Sequence, residues 1–78
     1  MKIRSMKEIA EFNEAVERCS RNVWLVAPNG ERFDLKSERG LCRGLARLIE
    51  DDREEMELFT EGYEDEMIMM DLYRRLTA

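Results

Sequence analysis

The sequence predicts an α+β fold, namely an open-faced β-sandwich with a four-stranded antiparallel sheet and three helices on one face. Short segments with every second residue apolar are interspersed with segments whose apolar residues recur every three or four positions. Their order along the chain is β-α-β-β-α-β-α. The remaining residues of the extended segments are mostly charged, as in a sheet with one face in water. With 78 residues, the chain is expected to form a single domain, residues 1–78.

The first strand and the first helix are predicted at the start of the chain. Residues 1–4 alternate, with Met1 and Ile3 on one face. Ser5 and Glu8 have the spacing of a capping box, so a helix should begin after Ser5 and end near Ser20. Its apolar residues recur every three or four positions, as in a helix that buries one side: Ile9, Phe12, Val16 and Cys19.

A β-hairpin is the clearest local prediction. Residues 23–27 and 32–36 favour extended structure, and residues 28–30, Pro-Asn-Gly, are typical of a turn between two strands. The second helix follows, with a stripe formed by Leu41, Leu45, Leu48 and Ile49. Gly44 lies within this helix, where it would allow a neighbouring element to approach closely.

The last third of the chain is predicted to form a polar turn at residues 51–53, a strand at 54–61 and a helix at 65–77. We expect the first and last strands to pair at the centre of the sheet, with Lys2 and Arg4 beside Glu55 and Glu57. The last helix has a wide apolar surface, contributed by Tyr63, Met67, Met69, Met70 and Tyr73. Such methionine-rich helices either fill gaps in a core or form adaptable docking surfaces.

Composition and charge exclude several classes of function. The net charge of −5 disfavours a nucleic-acid partner, although Arg39, Arg43 and Arg47 are spaced for a local basic patch. No apolar run approaches the ~20 residues that cross a bilayer, so no membrane insertion is expected. There is no histidine and no cysteine cluster, so neither a metal nor a cofactor is expected.

Cysteine usage and the acidic pairs bear on location and catalysis. Cys19 and Cys42 lack CxxC spacing and lie on or beside apolar stripes, which indicates reduced, mostly buried thiols in a cytoplasmic protein. The acidic residues 51–52 and 64–66 could be imagined as an acid–base pair or a magnesium site. Adjacent acids at turns and helix starts are more often solvated caps, and we therefore predict that the protein is not an enzyme.

Four segments together resemble the HPr family, the small phosphocarriers of the bacterial sugar phosphotransferase system. They are "RFDLKS", "GLCRGLARLI", "EMELFTEG" and the "EDE" that opens the last helix, and they follow one another in the family's order. The most specific piece is Lys36-Ser37 followed by Gly40-Leu41. In the family such a segment caps the second helix, and its serine is a regulatory phosphorylation site in many Gram-positive bacteria.

The chain also departs from this family. The phosphocarrier function that the resemblance would imply needs a histidine before the first helix, and this sequence contains none. The corresponding loop is reduced to about residues 5–7. The family has apolar docking residues after its serine, whereas this chain has Glu38 and Arg39. The resemblance therefore implies a non-catalytic, regulatory or protein-binding relative that cannot relay phosphate through histidine.

Ser37 has two interpretations. It is a suitable helix N-cap, which would explain its presence fully. It could also accept a regulatory phosphate, which would lie at the positive end of a helix with Lys36 and Arg39 nearby and Gly40 in the following turn. Glu38 would oppose that phosphate.

A second candidate surface lies on the open face of the predicted sheet. If Val23 and Leu25 point inward, then Trp24, Val26 and Phe59 share the outer face, where they could bind a protein partner or a second copy of the chain. Alternatively, the alkyl stems of Arg32 and Lys36 cover these side chains.

Overall fold

The structure is a computed structural model that describes residues 1–50 and 55–77. It contains three helices and a three-stranded antiparallel sheet, which confirms the α+β class. In chain order the elements are α1 (Met6–Arg18), β1 (Val23–Val26), β2 (Arg32–Asp34), α2 (Glu38–Glu50), β3 (Glu57–Thr60) and α3 (Tyr63–Thr77).

The sheet has the order β2-β1-β3, so β1 is the middle strand. The predicted hairpin joins β1 to β2, with Leu25 opposite Phe33. Gly30 adopts a φ of 92°, a conformation that other residues rarely adopt, and its N–H donates to the Ala27 carbonyl at 2.9 Å. On the other side of β1, Leu25 pairs with Leu58 of β3.

Residues 1–4 do not form the predicted first strand, and this is the main difference from the expected four-stranded sheet. Met1 and Ile3 are buried, as their alternation indicated. Two side chains of the segment bond to helix carbonyls: Lys2 Nζ donates to the Ile49 carbonyl at 2.8 Å, and Arg4 Nη1 donates to the Leu76 carbonyl at 3.2 Å. The predicted pairing of the first and last strands is not confirmed, and in the described part of the chain β1 is the strand that pairs with β3.

A single hydrophobic core lies between the helices and one face of the sheet. Its fully buried residues come from every layer: Phe12 of α1, Val23 and Leu25 of β1, Leu48 of α2, and Leu72 and Leu76 of α3. Gly44 has the predicted role, since a Cβ atom there would lie 2.9 Å from Leu35 Cδ2 and 3.3 Å from Leu25 Cδ2. The absence of a side chain thus lets α2 lie directly on the sheet.

The helix boundaries follow local signals in the sequence. Ser5 caps α1 by accepting from the Glu8 N–H at 3.1 Å. The Glu8 carboxylate reaches back one residue further than in a regular capping box, to the Arg4 N–H at 2.7 Å. α3 begins at Tyr63 rather than at residue 65. The predicted turn at residues 51–53 lies outside the described residues.

Candidate functional site

Ser37 is the N-cap of α2, as the first of its two interpretations predicted. Its Oγ accepts from the Gly40 N–H at 3.0 Å and donates to the Asp34 carbonyl at 2.9 Å. The Ser37 backbone N–H also donates to the Asp34 carbonyl, at 3.1 Å. The hydroxyl thus takes part in two hydrogen bonds, and the residue remains solvent-exposed.

Gly40 is required by the geometry of this strand-to-helix joint. A Cβ atom at this position would lie 2.0 Å from the Asp34 carbonyl oxygen and 2.7 Å from Ser37 Oγ. A backbone oxygen cannot move aside as the end of a flexible side chain can. The spacing of Ser37 and Gly40 is therefore explained by packing, with or without a modification.

The side chain of Lys36 is directed to the end of α1 and not to the Ser37 hydroxyl. Its Nζ donates to the carbonyls of Val16 at 2.9 Å and Cys19 at 2.6 Å, where it stabilises the C-terminal end of α1. This placement corrects two expectations, because the ammonium group neither lies beside the Ser37 hydroxyl nor is available to cover the open face of the sheet. Arg39 is exposed at the start of α2.

The basic residues further along α2 form contacts with the hairpin. The guanidinium carbons of Arg43 and Arg47 lie 6.0 and 5.7 Å from the centre of the Phe33 ring, within the range of cation–π attraction. Arg47 also donates to Glu31 at 2.7 Å. Asn29 Nδ2 donates to the same carboxylate at 3.0 Å. The hydrogen bonds from Arg47 and Asn29 lower the pKa of the Glu31 carboxyl. The predicted basic patch is thus partly engaged in holding the hairpin.

Asp65 is a buried carboxylate that sequence analysis placed among solvated caps. It is 2% exposed, and its two oxygens accept from the backbone N–H groups of Ser20 at 3.0 Å and Arg21 at 2.9 Å. These two hydrogen bonds lower the pKa of Asp65. The residue lies in the first turn of α3, where the helix dipole also favours a negative charge. Asp65 therefore anchors α3 to the junction between α1 and β1.

The open face of the sheet brings together the three predicted residues. Trp24 is directly opposite Phe59 across the β1–β3 ladder, and Val26 lies two residues along the same strand. Trp24 and Val26 are partly buried, whereas Phe59 is 50% exposed. Arg32 and Glu57 flank Val26 as its partners on β2 and β3. This face therefore has a small apolar centre between charged neighbours.

A groove with a volume of about 480 Å³ lies between β3 and α3. We call it the β3–α3 groove. Its wall is about equally polar and apolar, and the apolar part includes side chains from the start of the chain, from β3 and the residue before it, and from α3: Met1, Met56, Phe59, Met69, Met70 and Tyr73. The charged side chains that line it are all acidic: Glu55, Glu57 and Glu66. Sequence analysis did not find this groove, because it depends on how β3 and α3 meet.

The two cysteines differ in their environments. Cys19 is buried, and burial, with a smaller contribution from the Asp65 charge, raises the pKa of its thiol. A raised pKa leaves less thiolate at neutral pH, which disfavours nucleophilic chemistry at this residue. Cys42 is exposed, in contrast to the expected burial.

Searches for similar proteins found no match to any family model, curated protein or solved structure. Across residues 1–50 and 55–77, no helix is both long and apolar enough to cross a membrane. In the same part of the chain, no group of three or more cysteine, aspartate or glutamate side chains is arranged to hold a metal ion.

Proposed function

We propose that this protein is a non-catalytic, HPr-like module of the bacterial cytoplasm that binds other proteins and cannot relay phosphate through histidine. The observation that carries the proposal is the joint formed by residues 34–40, in which Ser37 caps α2 and Gly40 lies against the Asp34 carbonyl. This joint is built from the segment on which the family resemblance depends. The sequence contains no histidine to receive a phosphoryl group.

A regulatory phosphate at Ser37 is the more specific part of the proposal. The hydroxyl is exposed at the start of a 13-residue helix, where unpaired backbone N–H groups and the helix dipole favour an anion. Phosphorylation would remove the hydrogen bond from Ser37 Oγ to the Asp34 carbonyl. A modified Ser37 would therefore change both the charge and the local geometry of the surface at the start of α2.

Incubation with HPr kinase and ATP, followed by mass spectrometry of the intact protein and its peptides, tests the role of Ser37. We expect one phosphoryl group on the wild type and none on Ser37→Asn, in which asparagine can still cap the helix. Ser5→Ala is the matched control, because it removes the other capping serine and should leave modification unchanged. An unmodified wild-type protein would remove the regulatory link to sugar transport.

Self-association through the open sheet face is a second candidate function. It is favoured by the pairing of Trp24 with Phe59, whose side chain is half exposed in the isolated chain. In this alternative the protein is a structural or interaction protein with no connection to phosphotransfer.

Sedimentation of the wild type and of Trp24→Glu distinguishes this alternative. If the open sheet face mediates self-association, the wild type should dimerise as its concentration rises. The negative charge that Trp24→Glu introduces on this face should prevent dimerisation. Wild-type protein that remains monomeric at high concentration would contradict self-association. The Ser37 proposal would be unaffected by that result.

A further inference from the structure

We propose that the outer side of α3 is the interface of an antiparallel homodimer, in which this helix packs against the same helix of a second copy. The inference goes beyond the proposed function, because it involves neither Ser37 nor the open sheet face. Three features of the helix support it: an exposed apolar stripe opposite the core, a spacing that is the same in both directions, and charges of opposite sign at the two ends.

The first feature is a line of four exposed residues along α3, which we call the outer stripe: Tyr63, Met67, Met70 and Arg74. Tyr63 is 75% exposed, Met67 44% and Met70 43%. The buried residues of the helix each lie two positions after one of the stripe: Asp65, Met69, Leu72 and Leu76. Two positions turn a helix by about 200°, so the outer stripe lies opposite the core. Apolar residues on two opposite sides are typical of a helix that packs on both.

The second feature is the spacing of the outer stripe. Its residues are separated by four, three and four positions, which is the spacing of the contact seam in coiled coils. This pattern is unchanged when the helix is reversed. An antiparallel second copy would therefore place Met67 opposite Met70 and Tyr63 opposite Arg74, in both halves of a two-fold interface. The methionine pairs would form an adaptable apolar centre, and each tyrosine ring would meet a guanidinium group.

The third feature is the distribution of charge along α3, which identifies a second copy as the partner. The first turn carries the exposed carboxylates of Glu64 and Glu66, and the last turn carries Arg74 and Arg75. In an antiparallel pair, the acidic end of each helix lies beside the basic end of the other, whereas a parallel pair brings like charges together. Arg75 is paired with Asp71 at 3.6 Å in its own chain. We therefore assign Arg74 to the Glu64 carboxylate of the second copy.

The size of the contact indicates a weak dimer. A helix of 15 residues is about 22 Å long, and one pair of such helices buries less than the roughly 800 Å² per partner of a stable complex. The net charge of −5 on each chain also opposes association, although salt at physiological concentration screens exposed charges that are more than about 8 Å apart. We therefore expect a dissociation constant on the order of 100 µM.

Sedimentation equilibrium at about 0.15 M salt, with protein from about 10 µM to about 1 mM, tests the proposal. We expect the wild type to change from monomer to dimer over this range. Met67→Ser and Met70→Ser should each weaken the dimer at least about fivefold, because each removes apolar contacts from both halves of the interface. Met6→Ser is the matched control, since Met6 is 79% exposed on α1, and it should change the dissociation constant by less than about twofold.

A charge exchange between Glu64 and Arg74 tests the antiparallel arrangement. Glu64→Arg and Arg74→Glu each place like charges at both ends of the homodimer, so each variant alone should associate at least about tenfold more weakly than the wild type. An equimolar mixture of the two should form a heterodimer, because opposite charges then meet at both ends. Arg39→Glu makes the same change in net charge on the exposed surface of α2, and it should associate as the wild type does.

Several results would overturn the proposal: a wild type that stays monomeric at about 1 mM, equal association of the Met67, Met70 and Met6 variants, or a mixture that associates no better than its components. A dimer that Trp24→Glu abolishes and the α3 variants leave intact would also overturn it, and would assign the contact to the open sheet face. Modification of Ser37 is measured separately, so none of these results affects that part of the proposed function.

Discussion

The carboxylate of Asp65 holds the α1–β1 junction through two consecutive backbone N–H groups, those of Ser20 and Arg21. Lys36 holds the same junction from the other side, through the carbonyls of Val16 and Cys19. Backbone groups at a helix end need partners from outside the helix, and here only the Val16 carbonyl has a local one, the Cys19 N–H at 3.1 Å, among the described contacts. Two charged side chains, each distant in sequence, thus stabilise one short connection.

The lowered pKa of Asp65 predicts a pH dependence of stability. A carboxyl group whose pKa is lower in the folded state stabilises the fold above its unfolded-state pKa of about 4, and this contribution is lost as the pH falls through the folded-state value. We expect Asp65→Asn to be less stable than the wild type at pH 7, because one of the two N–H groups would face an amide donor. The difference should shrink between about pH 5 and pH 2.

Urea unfolding at a series of pH values measures this effect, with Glu64→Gln as the control because Glu64 is exposed in the same helical turn. The assignment fails if wild type and Asp65→Asn lose stability in parallel on acidification. Sequence analysis could not identify Asp65, because its neighbours Glu64 and Glu66 are also acidic. Only the fold determines which of the three faces the junction.

At the scale of elements, the start of α2 is the most tightly specified feature. The Asp34 carbonyl accepts from both the backbone N–H and the hydroxyl of Ser37, and Gly40 lies against that same carbonyl. These contacts set the angle at which the chain leaves β2 and enters α2. Gly44, one turn further along, sets how closely the helix lies on Leu25 and Leu35.

Substitution of Gly40 by alanine should therefore destabilise the protein, although alanine favours helices by about 1 kcal/mol. The added Cβ would lie 2.0 Å from a backbone oxygen, and relief of that clash requires the joint to open. We expect a net loss of more than about 2 kcal/mol in the free energy of unfolding, measured by urea denaturation.

Gly62→Ala is the matched control, because the nearest atom to a Cβ there is Arg21 Cδ at 4.0 Å. It should change stability by less than about 1 kcal/mol. Equal effects of the two alanine substitutions would show that the joint at Gly40 relaxes easily.

Elements defined by neighbouring residues could be predicted from the sequence. The caps at Ser5 and Ser37 and the turn at Gly30 depend on contacts a few residues apart, and the structure confirms all three. The strand at residues 1–4 could not be judged in this way, because alternation indicates which side chains are buried and not whether a ladder forms. The side chains of Lys2 and Arg4 bond to carbonyls near the ends of α2 and α3, contacts that the alternation does not predict.

At the scale of the whole molecule, all three helices and the inner face of the sheet share one core. The open face lies outside that core, whereas the β3–α3 groove is lined in part by the core residues Met1, Met56 and Met69. The exposed residues of the open face can therefore be altered with little effect on the residues that hold the fold together. Substitutions within the core should instead affect every element.

Leu48→Ala and Ile49→Ala test this view of a single core. Leu48 is 0% exposed, whereas its neighbour Ile49 is 45% exposed. We expect Leu48→Ala to cost about 2–5 kcal/mol of stability and Ile49→Ala less than about 1 kcal/mol. Trp24 fluorescence reports on the sheet and far-UV circular dichroism on the helices, and the two transitions should coincide for Leu48→Ala. Separate transitions would contradict a single cooperative core.

The position of β1 in the middle of the sheet has a consequence for synthesis of the chain. Its hairpin partner β2 follows at once, but its other neighbour, β3, is made only after the whole of α2. The carboxylate that anchors the α1–β1 junction is made later still, in α3. A nascent chain therefore emerges from the ribosome with its central strand half paired, and the domain closes only when the last helix has left the exit tunnel.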